Sequence, residues 1–299
     1  MTAGSALCAL AATSCQGTAT ASAADTGSTT GSTASAAASA SASATAGTST
    51  STSALPKAAV ASATSQAAVA SSASTASALS GKTVVIDPGH NGGDASHATQ
   101  INQLVPMGFG QYKTCDTTGT NADDGYAEHE FNLQVADLVE AQLEKQGIKV
   151  IMTRTNDTGV GPCVNVRAAI GNDAHADAAI SIHGDGFDAS GHGFQIIQAA
   201  KSVGGTANDA QSNKLSEALH ATFLTDSGLT PSTYIGTDGY ETRSDLAGLN
   251  LSTVPKVLVE CGNMKNPGDV ALMESPTGRA RMASAIADGI ISFLSQGAK

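Results

Sequence analysis

The chain has 299 residues, a formal net charge of −11 and a low aromatic content, with six Phe, four Tyr and no Trp. Nucleic-acid binding requires a basic face, so the acidic composition excludes nucleic acid as a partner. No apolar run reaches the roughly 18 residues of a membrane-spanning helix, so we predict no transmembrane segment.

The chain opens with fifteen mostly small and apolar residues that end at Cys15. This stretch resembles the end of an export signal without its basic start. Residues 12–15 also resemble a degenerate lipoprotein cleavage box with Cys15 as the lipidated residue, although the usual Leu three positions before the Cys is missing. We therefore predict a residual export signal or lipoprotein leader over residues 1–15. The protein is expected to be extracytoplasmic: secreted, periplasmic or cell-wall associated.

Residues 16–80 consist almost entirely of Ala, Ser, Thr and Gly, with Asp25 and Lys57 as their charged side chains. A segment without aromatic residues and with few branched apolar side chains buries too little surface to offset its ordering entropy. Ser and Thr at this density also compete with a helical backbone. The composition predicts a disordered linker, and it leaves residues 81–299 as one globular domain that we expect to be monomeric.

The first predicted element of the domain is a buried strand at residues 84–86, because this run is β-branched throughout. The strand is expected to end at Asp87-Pro88-Gly89, since Pro cannot continue a central strand and Gly permits a tight turn. His90 then falls just past the carboxyl end of a strand, where ligand sites form in open α/β sheets. The Gly-, Asn- and Asp-rich residues 91–125 predict a long irregular binding loop.

A helix is predicted from Glu128 to the capping Gly147. Its apolar stripe consists of Phe131, Val135, Leu138, Val139 and Leu143. Further strands are predicted at residues 148–153, 178–182, 193–198 and 257–259, with helices at residues 167–176, 207–224 and 279–294 and a loop at residues 226–255. This alternation indicates an α/β class: a single domain with a mostly parallel twisted β-sheet flanked by helices.

Four polar residues stand at the ends of these elements: His90 after the first strand, Glu128 at the start of the first helix, His183 after the third strand and Glu260 at the end of the last strand. Equivalent ends of parallel strands share one edge of a sheet, so the four side chains can converge. Two His and one carboxylate with an open fourth position form the ligand set of a catalytic zinc. Zinc lowers the pKa of its water to about 7, and a further carboxylate can act as general base.

Each of these residues also has a structural explanation. Glu128 would be a favourable charge at a helix N-terminus even without a metal. Glu260 is harder to explain in this way, because a carboxylate at the end of an apolar strand is costly to bury unless it is paired or bound to a metal. The spacing alone leaves both interpretations open. Structural roles are expected for the remaining histidines, His97, His129, His175, His192 and His220.

Three cysteines fall inside the predicted domain. Cys115 and Cys163 lie in predicted loops, and loop cysteines in an exported domain favour a disulfide. Closing a loop of this size contributes about 4 kcal/mol in the chain-entropy model. Cys261 follows an apolar strand and is predicted to be a buried free thiol.

Several short motifs run in order through residues 82–295. They are Ile86-Asp87-Pro88-Gly89-His90, Glu128-x-x-x-Asn132-Leu133, Thr153-Arg154, Ser181-Ile182-His183, and Leu258-Val259-Glu260 followed by Gly262-Asn263 and Asn266. Together they make the chain resemble the zinc-dependent N-acetylmuramoyl-L-alanine amidases of the type-3 family. Asp185, where the family often has Asn, and the segment Cys261–Met264, where Gly-Phe is common after the Glu, resemble the mycobacterial branch.

This resemblance implies that His90, Glu128 and His183 bind Zn²⁺ and that Glu260 is the catalytic carboxylate. It selects Glu128 over Glu130, because the family's ligand precedes the Asn-Leu pair by four residues. It also implies peptidoglycan as the substrate, cleaved at the amide bond between N-acetylmuramic acid and L-alanine of the stem peptide. Two alternatives stay open: a catalytically inactive wall-binding or activator protein on the same fold, and a zinc peptidoglycan carboxypeptidase.

Overall fold

The β-branched runs of the sequence form a six-stranded sheet in the computed structural model, which describes residues 79–297. The predicted leader, its Cys15 and nearly all of the predicted linker lie outside the described residues. The strands, numbered along the chain and including a separate two-stranded hairpin, are β1 (Thr83–Pro88), β2 (Leu104–Gly108), β3 (Gln111–Thr114), β4 (Lys149–Met152), β5 (Ala178–Asp185), β6 (Gln195–Ala199), β7 (Tyr240–Arg243) and β8 (Lys256–Asn263).

The sheet has the strand order β4-β1-β5-β8-β6-β7. All neighbouring pairs are parallel except β6 and β8, which are antiparallel. The prediction of a mostly parallel α/β sheet is therefore confirmed. Strands β2 and β3 form an antiparallel hairpin outside this sheet.

Helices cover both faces of the sheet. They are α1 (Ala98–Ile101), α2 (Glu128–Lys145), α3 (Val164–Asp173), α4 (Gly205–Thr222), α5 (Ala247–Asn250), α6 (Pro267–Met273) and α7 (Pro276–Ser295). The main core joins α2, α4 and α7 to one face of the sheet, where Ile86, Ile180 and Val259 are fully buried. Two smaller apolar clusters lie on the opposite face; one of them joins Leu249 of α5 to Leu258 of β8.

Helix α2 begins at the predicted Glu128 and ends just before Gly147, whose φ is 79°. Four of the five predicted stripe residues are fully buried, but Leu138 is 38% exposed. The reason is rotational: each residue turns the helix by about 100°, which moves Leu138 away from the buried side that Val139 occupies. The assignment of Leu138 to the core was therefore wrong.

Three strands extend beyond their predicted ends. Strand β1 includes Pro88, which pairs with Ile182 of β5, so Pro88 is the last residue of the strand rather than its terminator. Strand β5 continues through His183, and β8 continues through Glu260 to Asn263. His183 and Glu260 therefore lie within strands, where pairing with a neighbour fixes their positions.

The predicted loops contain structure that the pattern analysis missed. The hairpin and α1 lie within residues 91–125, and β7 and α5 lie within residues 226–255. Helix α6, between β8 and α7, was also not predicted. These elements are only four to seven residues long, too short to show a hydrophobic period.

The predicted disulfide is present between Cys115 and Cys163, which are 48 residues apart in the chain. Cys261 is free and fully buried, as predicted, although it lies within β8 rather than after a strand. Within residues 79–297, none of the helices has both the length and the apolar composition that a membrane span requires.

Candidate metal centre

Three of the predicted residues converge at the carboxyl edge of the sheet. One ligand atom each of His90, Glu128 and His183 can be chosen so that all lie within 4.8 Å of one another. Oε1 of Glu128 is 3.2 Å from Nε2 of His90 and 2.8 Å from Nδ1 of His183. The two imidazole rings meet edge to face, with centroids 4.9 Å apart. The convergence comes from β1, β5 and the N-terminus of α2.

His90 is held in a specific orientation by its backbone and by its second ring nitrogen. Its φ is 58°, in the left-handed region that a non-glycine residue rarely adopts. The Arg167 guanidinium donates to the backbone oxygen of His90 at 3.1 Å. Nδ1 of His90 lies 2.8 Å from the Thr117 carbonyl oxygen and 3.2 Å from Asp116 Oδ1, which leaves Nε2 directed at Glu128.

Glu128 is the first residue of α2, so the negative charge at the helix N-terminus and the proposed ligand are the same side chain. Its Oε2 accepts a hydrogen bond from the Thr120 backbone N–H at 2.8 Å, and its Oε1 faces the two histidines. Burial alone would raise the pKa of Glu128, but His90 and His183 hold it well below its usual value. Burial opposes charge on His90, yet the Glu128 and Asp116 carboxylates raise its pKa well above its usual value.

His183 packs directly against the turn that carries His90. A Cβ atom added to Gly89 would overlap the His183 ring, so the Gly of the Asp-Pro-Gly-His motif is required by this close approach. In the sequence, Gly89 predicts only a tight turn; its second role, leaving room for the His183 ring, is visible only in the structure.

Glu260 lies beside the three ligands on the adjacent strand. It is the register partner of His183 in the parallel pair of β5 and β8. Its Oε2 is buried and has no hydrogen-bond partner among residues 79–297. Burial, together with the Asp185 and Glu128 carboxylates, raises the pKa of Glu260 well above its usual value. The structure brings Glu260 to the other three residues, as the strand ends predicted. The sequence did not show that one of its carboxylate oxygens would lack a partner among the described residues.

All four residues line one cavity of about 280 Å³, together with residues 117–120 and 184–186. A second, smaller cavity of about 130 Å³ shares His90 and His183 and extends along the sheet toward residues 246–249. The cluster of His90, Glu128 and His183 therefore opens to a cavity that Glu260 also lines.

Several residues behind the ligands were missed by the sequence analysis. Asp87 is buried and accepts from Arg167 at 2.9 Å and from Lys256 at 3.0 Å. Arg167 also reaches Asp116, the partner of His90, at 3.3 Å. These contacts join residues up to 169 positions apart in the chain, so no local sequence pattern predicts them. The only sequence signal was the position of Asp87 in the first motif.

A second group that could hold a metal, His90, Asp94 and Asp116, shares one residue with the first. Asp116 contacts Arg167 and the Thr117 N–H, and Oδ2 of Asp94 accepts from the Asn91 N–H, while Oδ1 of Asp94 has no partner among residues 79–297. The first group fits a catalytic metal better because it supplies two imidazoles and one carboxylate, whereas the second supplies one imidazole and two carboxylates.

The other histidines lie outside both groups. His97 contacts the Gly93 carbonyl oxygen, His129 contacts Asp157, and His220 stacks on Tyr240. These contacts agree with the structural roles expected for them.

The donors of the first group fit zinc. Two imidazoles and one carboxylate with an open position are the ligands of many catalytic zinc sites. The contact of His90 Nδ1 with a backbone carbonyl and a carboxylate is the outer-shell arrangement that orients metal-binding histidines.

Known proteins share this fold. The family profile described as N-acetylmuramoyl-L-alanine amidase matches residues 84–292. The N-acetylmuramoyl-L-alanine amidase Rv3717 of Mycobacterium tuberculosis is 42% identical over 217 residues, which cover 72% of this chain and 88% of that protein.

Two solved structures are also similar. The N-acetylmuramyl-L-alanine amidase Ami1 of Mycobacterium smegmatis is 43% identical with a TM-score of 0.69, and the match covers 73% of this chain and 99% of that chain. The apo form of Ami1 from Mycobacterium abscessus is 45% identical with a TM-score of 0.68, covering 72% of this chain and 100% of that chain.

Proposed function

The chain belongs to the N-acetylmuramoyl-L-alanine amidase family, and from this premise we propose that it is a zinc-dependent peptidoglycan hydrolase. The bond cleaved is the amide between N-acetylmuramic acid and L-alanine of the stem peptide. The observation that carries the proposal is the placement of Glu260 in register with His183, beside a His-Glu-His cluster.

His90, Glu128 and His183 are the proposed zinc ligands. When bound, zinc supplies Lewis-acid polarisation of the substrate carbonyl and activates water as the nucleophile. Asp116 and the Thr117 carbonyl oxygen hold His90 in orientation through Nδ1, and the Thr120 N–H holds Glu128 through Oε2. These contacts keep the three donor atoms directed at one point.

Glu260 is the proposed general base and acid. It takes a proton from the attacking water and delivers it to the nitrogen of L-alanine, which would otherwise be a poor leaving group. Burial raises the pKa of Glu260, which favours the protonated form that delivers the proton to the leaving nitrogen. Oε2 of Glu260 is buried and has no hydrogen-bond partner among residues 79–297, so it is available to exchange a proton with the attacking water.

The proposed substrate also sets the location. Peptidoglycan lies outside the cytoplasmic membrane, so an enzyme that hydrolyses it acts there. This agrees with the predicted export signal. Lipidation at Cys15 stays a prediction, as does a monomeric state.

Digestion of purified peptidoglycan by the full chain tests the function. We expect free stem peptides with an L-alanine amino terminus, identified by mass spectrometry, and their loss on addition of a chelator. Release of a carboxyl-terminal amino acid instead would indicate a carboxypeptidase. No release by zinc-loaded protein that still sediments with peptidoglycan would indicate an inactive wall-binding protein.

A further inference from the structure

An exposed aromatic ring lies beside the candidate metal centre. The Phe187 ring is 49% exposed to solvent. It stacks on the Tyr234 ring with centroids 4.4 Å apart and an angle of 11° between the planes. One face of Phe187 is thus covered by Tyr234, while a large part of the side chain stays accessible.

The loop that carries Phe187 is fixed by a buried amide. Asn263, at the end of β8, is fully buried, and its Oδ1 accepts from the Phe187 backbone N–H at 3.0 Å. Its Nδ2 donates to the carbonyl oxygens of Asp188 at 2.9 Å and Gly191 at 2.7 Å. The loop that carries the exposed ring is therefore held in place by Asn263, which lies three residues beyond Glu260 on β8.

The supporting ring is fixed as well. The Tyr234 hydroxyl donates to Asp185 Oδ2 at 2.7 Å, and Gln195 donates to the same oxygen at 2.9 Å. A Cβ atom on Gly191 would crowd both rings, with 2.6 Å to Tyr234 and 2.9 Å to Phe187, so Gly at this position permits the stack. The pair is a preformed surface rather than two side chains that meet by chance.

The position of this surface connects it to the site. Asp185 and Gly186 line the cavity that contains His183 and Glu260, and Phe187 is the next residue. Four residues of extended chain span at most about 14 Å, so Phe187 lies within that distance of His183 along the backbone. The aromatic ring therefore lies close enough to the candidate metal centre to contact a part of the substrate adjacent to the bond bound there.

We propose that Phe187, supported by Tyr234, is a stacking platform for the pyranose ring of N-acetylmuramic acid, and so determines recognition of the sugar side of the substrate. This rests on the proposed function. A pyranose ring has a flat C–H face, which packs on the electron-rich face of an aromatic ring. The adjacent carboxylates of Asp185 and Asp188 would repel the acidic groups of a stem peptide, which favours the uncharged sugar at this position.

Steady-state kinetics of the full chain on an N-acetylmuramoyl-peptide test the platform. We expect Phe187→Ala to raise KM about 3- to 10-fold with little change in kcat, and Phe187→Trp to stay within about twofold of wild type. Phe109→Ala is the matched control. Phe109 is 46% exposed, similar to Phe187. Its ring contacts Lys201, which lies just beyond the last residue of β6, whereas Glu260 pairs with the first residue of that strand, so Phe109 lies away from the site. It should behave as wild type.

An unchanged KM in Phe187→Ala, or a Phe187→Trp variant as impaired as Phe187→Ala, would overturn the proposal. A second measurement does not depend on catalysis: saturation-transfer NMR with N-acetylmuramic acid whose lactyl carboxyl is converted to a simple amide, so that the peptide-free sugar is uncharged as it is in the substrate. Saturation should be transferred from the protein to the C–H protons of the sugar ring with wild type and Phe187→Trp, and this transfer should be lost with Phe187→Ala. If wild type releases no peptide, the proposed function fails, while this NMR comparison still decides whether Phe187 binds the sugar.

Discussion

His183 and Glu260 are register partners on the adjacent parallel strands β5 and β8. Residues paired in this way project from the same face of the sheet, with a separation fixed by backbone hydrogen bonds. The proposed ligand and the proposed proton-transfer group are thus placed side by side by strand pairing rather than by a flexible loop. Changes to either side chain should therefore separate metal binding from catalysis.

The first prediction concerns the metal. We expect wild type to bind one zinc ion per chain and His183→Ala, which removes one of the three proposed donors, to lose it. Elemental analysis after gel filtration measures this. His175→Ala is the control, because His175 is exposed and belongs to neither candidate group among the described residues. Stoichiometric zinc in the His183 variant would show that the ligand assignment is wrong.

The second prediction concerns Asp116, which contacts Nδ1 of His90 at 3.2 Å. Asp116→Asn keeps the shape of the side chain but removes the charge that orients and polarises the imidazole. Zinc affinity should fall roughly 10- to 100-fold, as for other outer-shell partners of metal-binding histidines. Competition with a chromophoric chelator measures the affinity.

Asp123→Asn is the matched control for Asp116→Asn, since the Asp123 side chain is 87% exposed. It should bind zinc as wild type does. Wild-type affinity in a folded Asp116→Asn variant would mean that the Thr117 carbonyl oxygen alone orients His90.

The third prediction concerns the disulfide, which closes a loop between residues 48 positions apart. Replacing Cys115 and Cys163 by Ser should lower the free energy of unfolding by about 4 kcal/mol in the chain-entropy model. Guanidinium denaturation measures the change, and wild type under reducing conditions should unfold at a similar denaturant concentration. A double variant as stable as the oxidised wild type would contradict the expectation.

The parts of the site that could be predicted from sequence are those tied to strand and helix ends. His90 follows a β-branched run that ends in Asp-Pro-Gly, and Glu128 opens a helix whose apolar period is clear. Because parallel strands end at one edge of a sheet, residues far apart in sequence could be placed together. The pairing of Cys115 with Cys163 could be predicted because both lie in predicted loops and the sequence predicts export.

The rest depends on tertiary contacts. Arg167 joins Asp87 to Asp116 across a buried region, and no periodicity or spacing in the sequence links these three positions. The hairpin of β2 and β3 is too short to show a strand pattern, and Pro106 and Gly108 within β2 argue locally against a strand. The stacking of Phe187 on Tyr234 likewise joins two predicted loops, where only the folded chain shows the contact.

The fourth prediction concerns the buried charge network. Burial alone would raise the pKa of Asp87, but Lys256 and Arg167 hold it well below its usual value. Asp87→Asn would leave two buried cations with less compensation, so the free energy of unfolding should fall by about 3–5 kcal/mol at neutral pH. Asp245→Asn, in an ion pair whose Asp side chain is 59% exposed, should cost at most about 1 kcal/mol.

The sign of the pH dependence follows from the lowered pKa of Asp87. Its contribution to stability is fully present above the unfolded value of about 3.9 and is lost as the pH falls through the lower folded value. The difference in the free energy of unfolding between wild type and Asp87→Asn should therefore become smaller as the pH falls below about 4. Denaturation curves that show equal stability at neutral pH would contradict the role assigned to Asp87.

The central claim is that Glu260 performs the proton transfer beside the metal. Glu260→Gln keeps the shape and volume of the side chain while removing the base, so zinc content and binding to peptidoglycan should match wild type. The decisive measurement is the rate at which this zinc-loaded variant releases free stem peptide from purified peptidoglycan. We expect the rate to fall by at least about 10²-fold, the lower end of what a positioned general base contributes. Release at a near wild-type rate with zinc intact would show that Glu260 is structural and that the base is another residue.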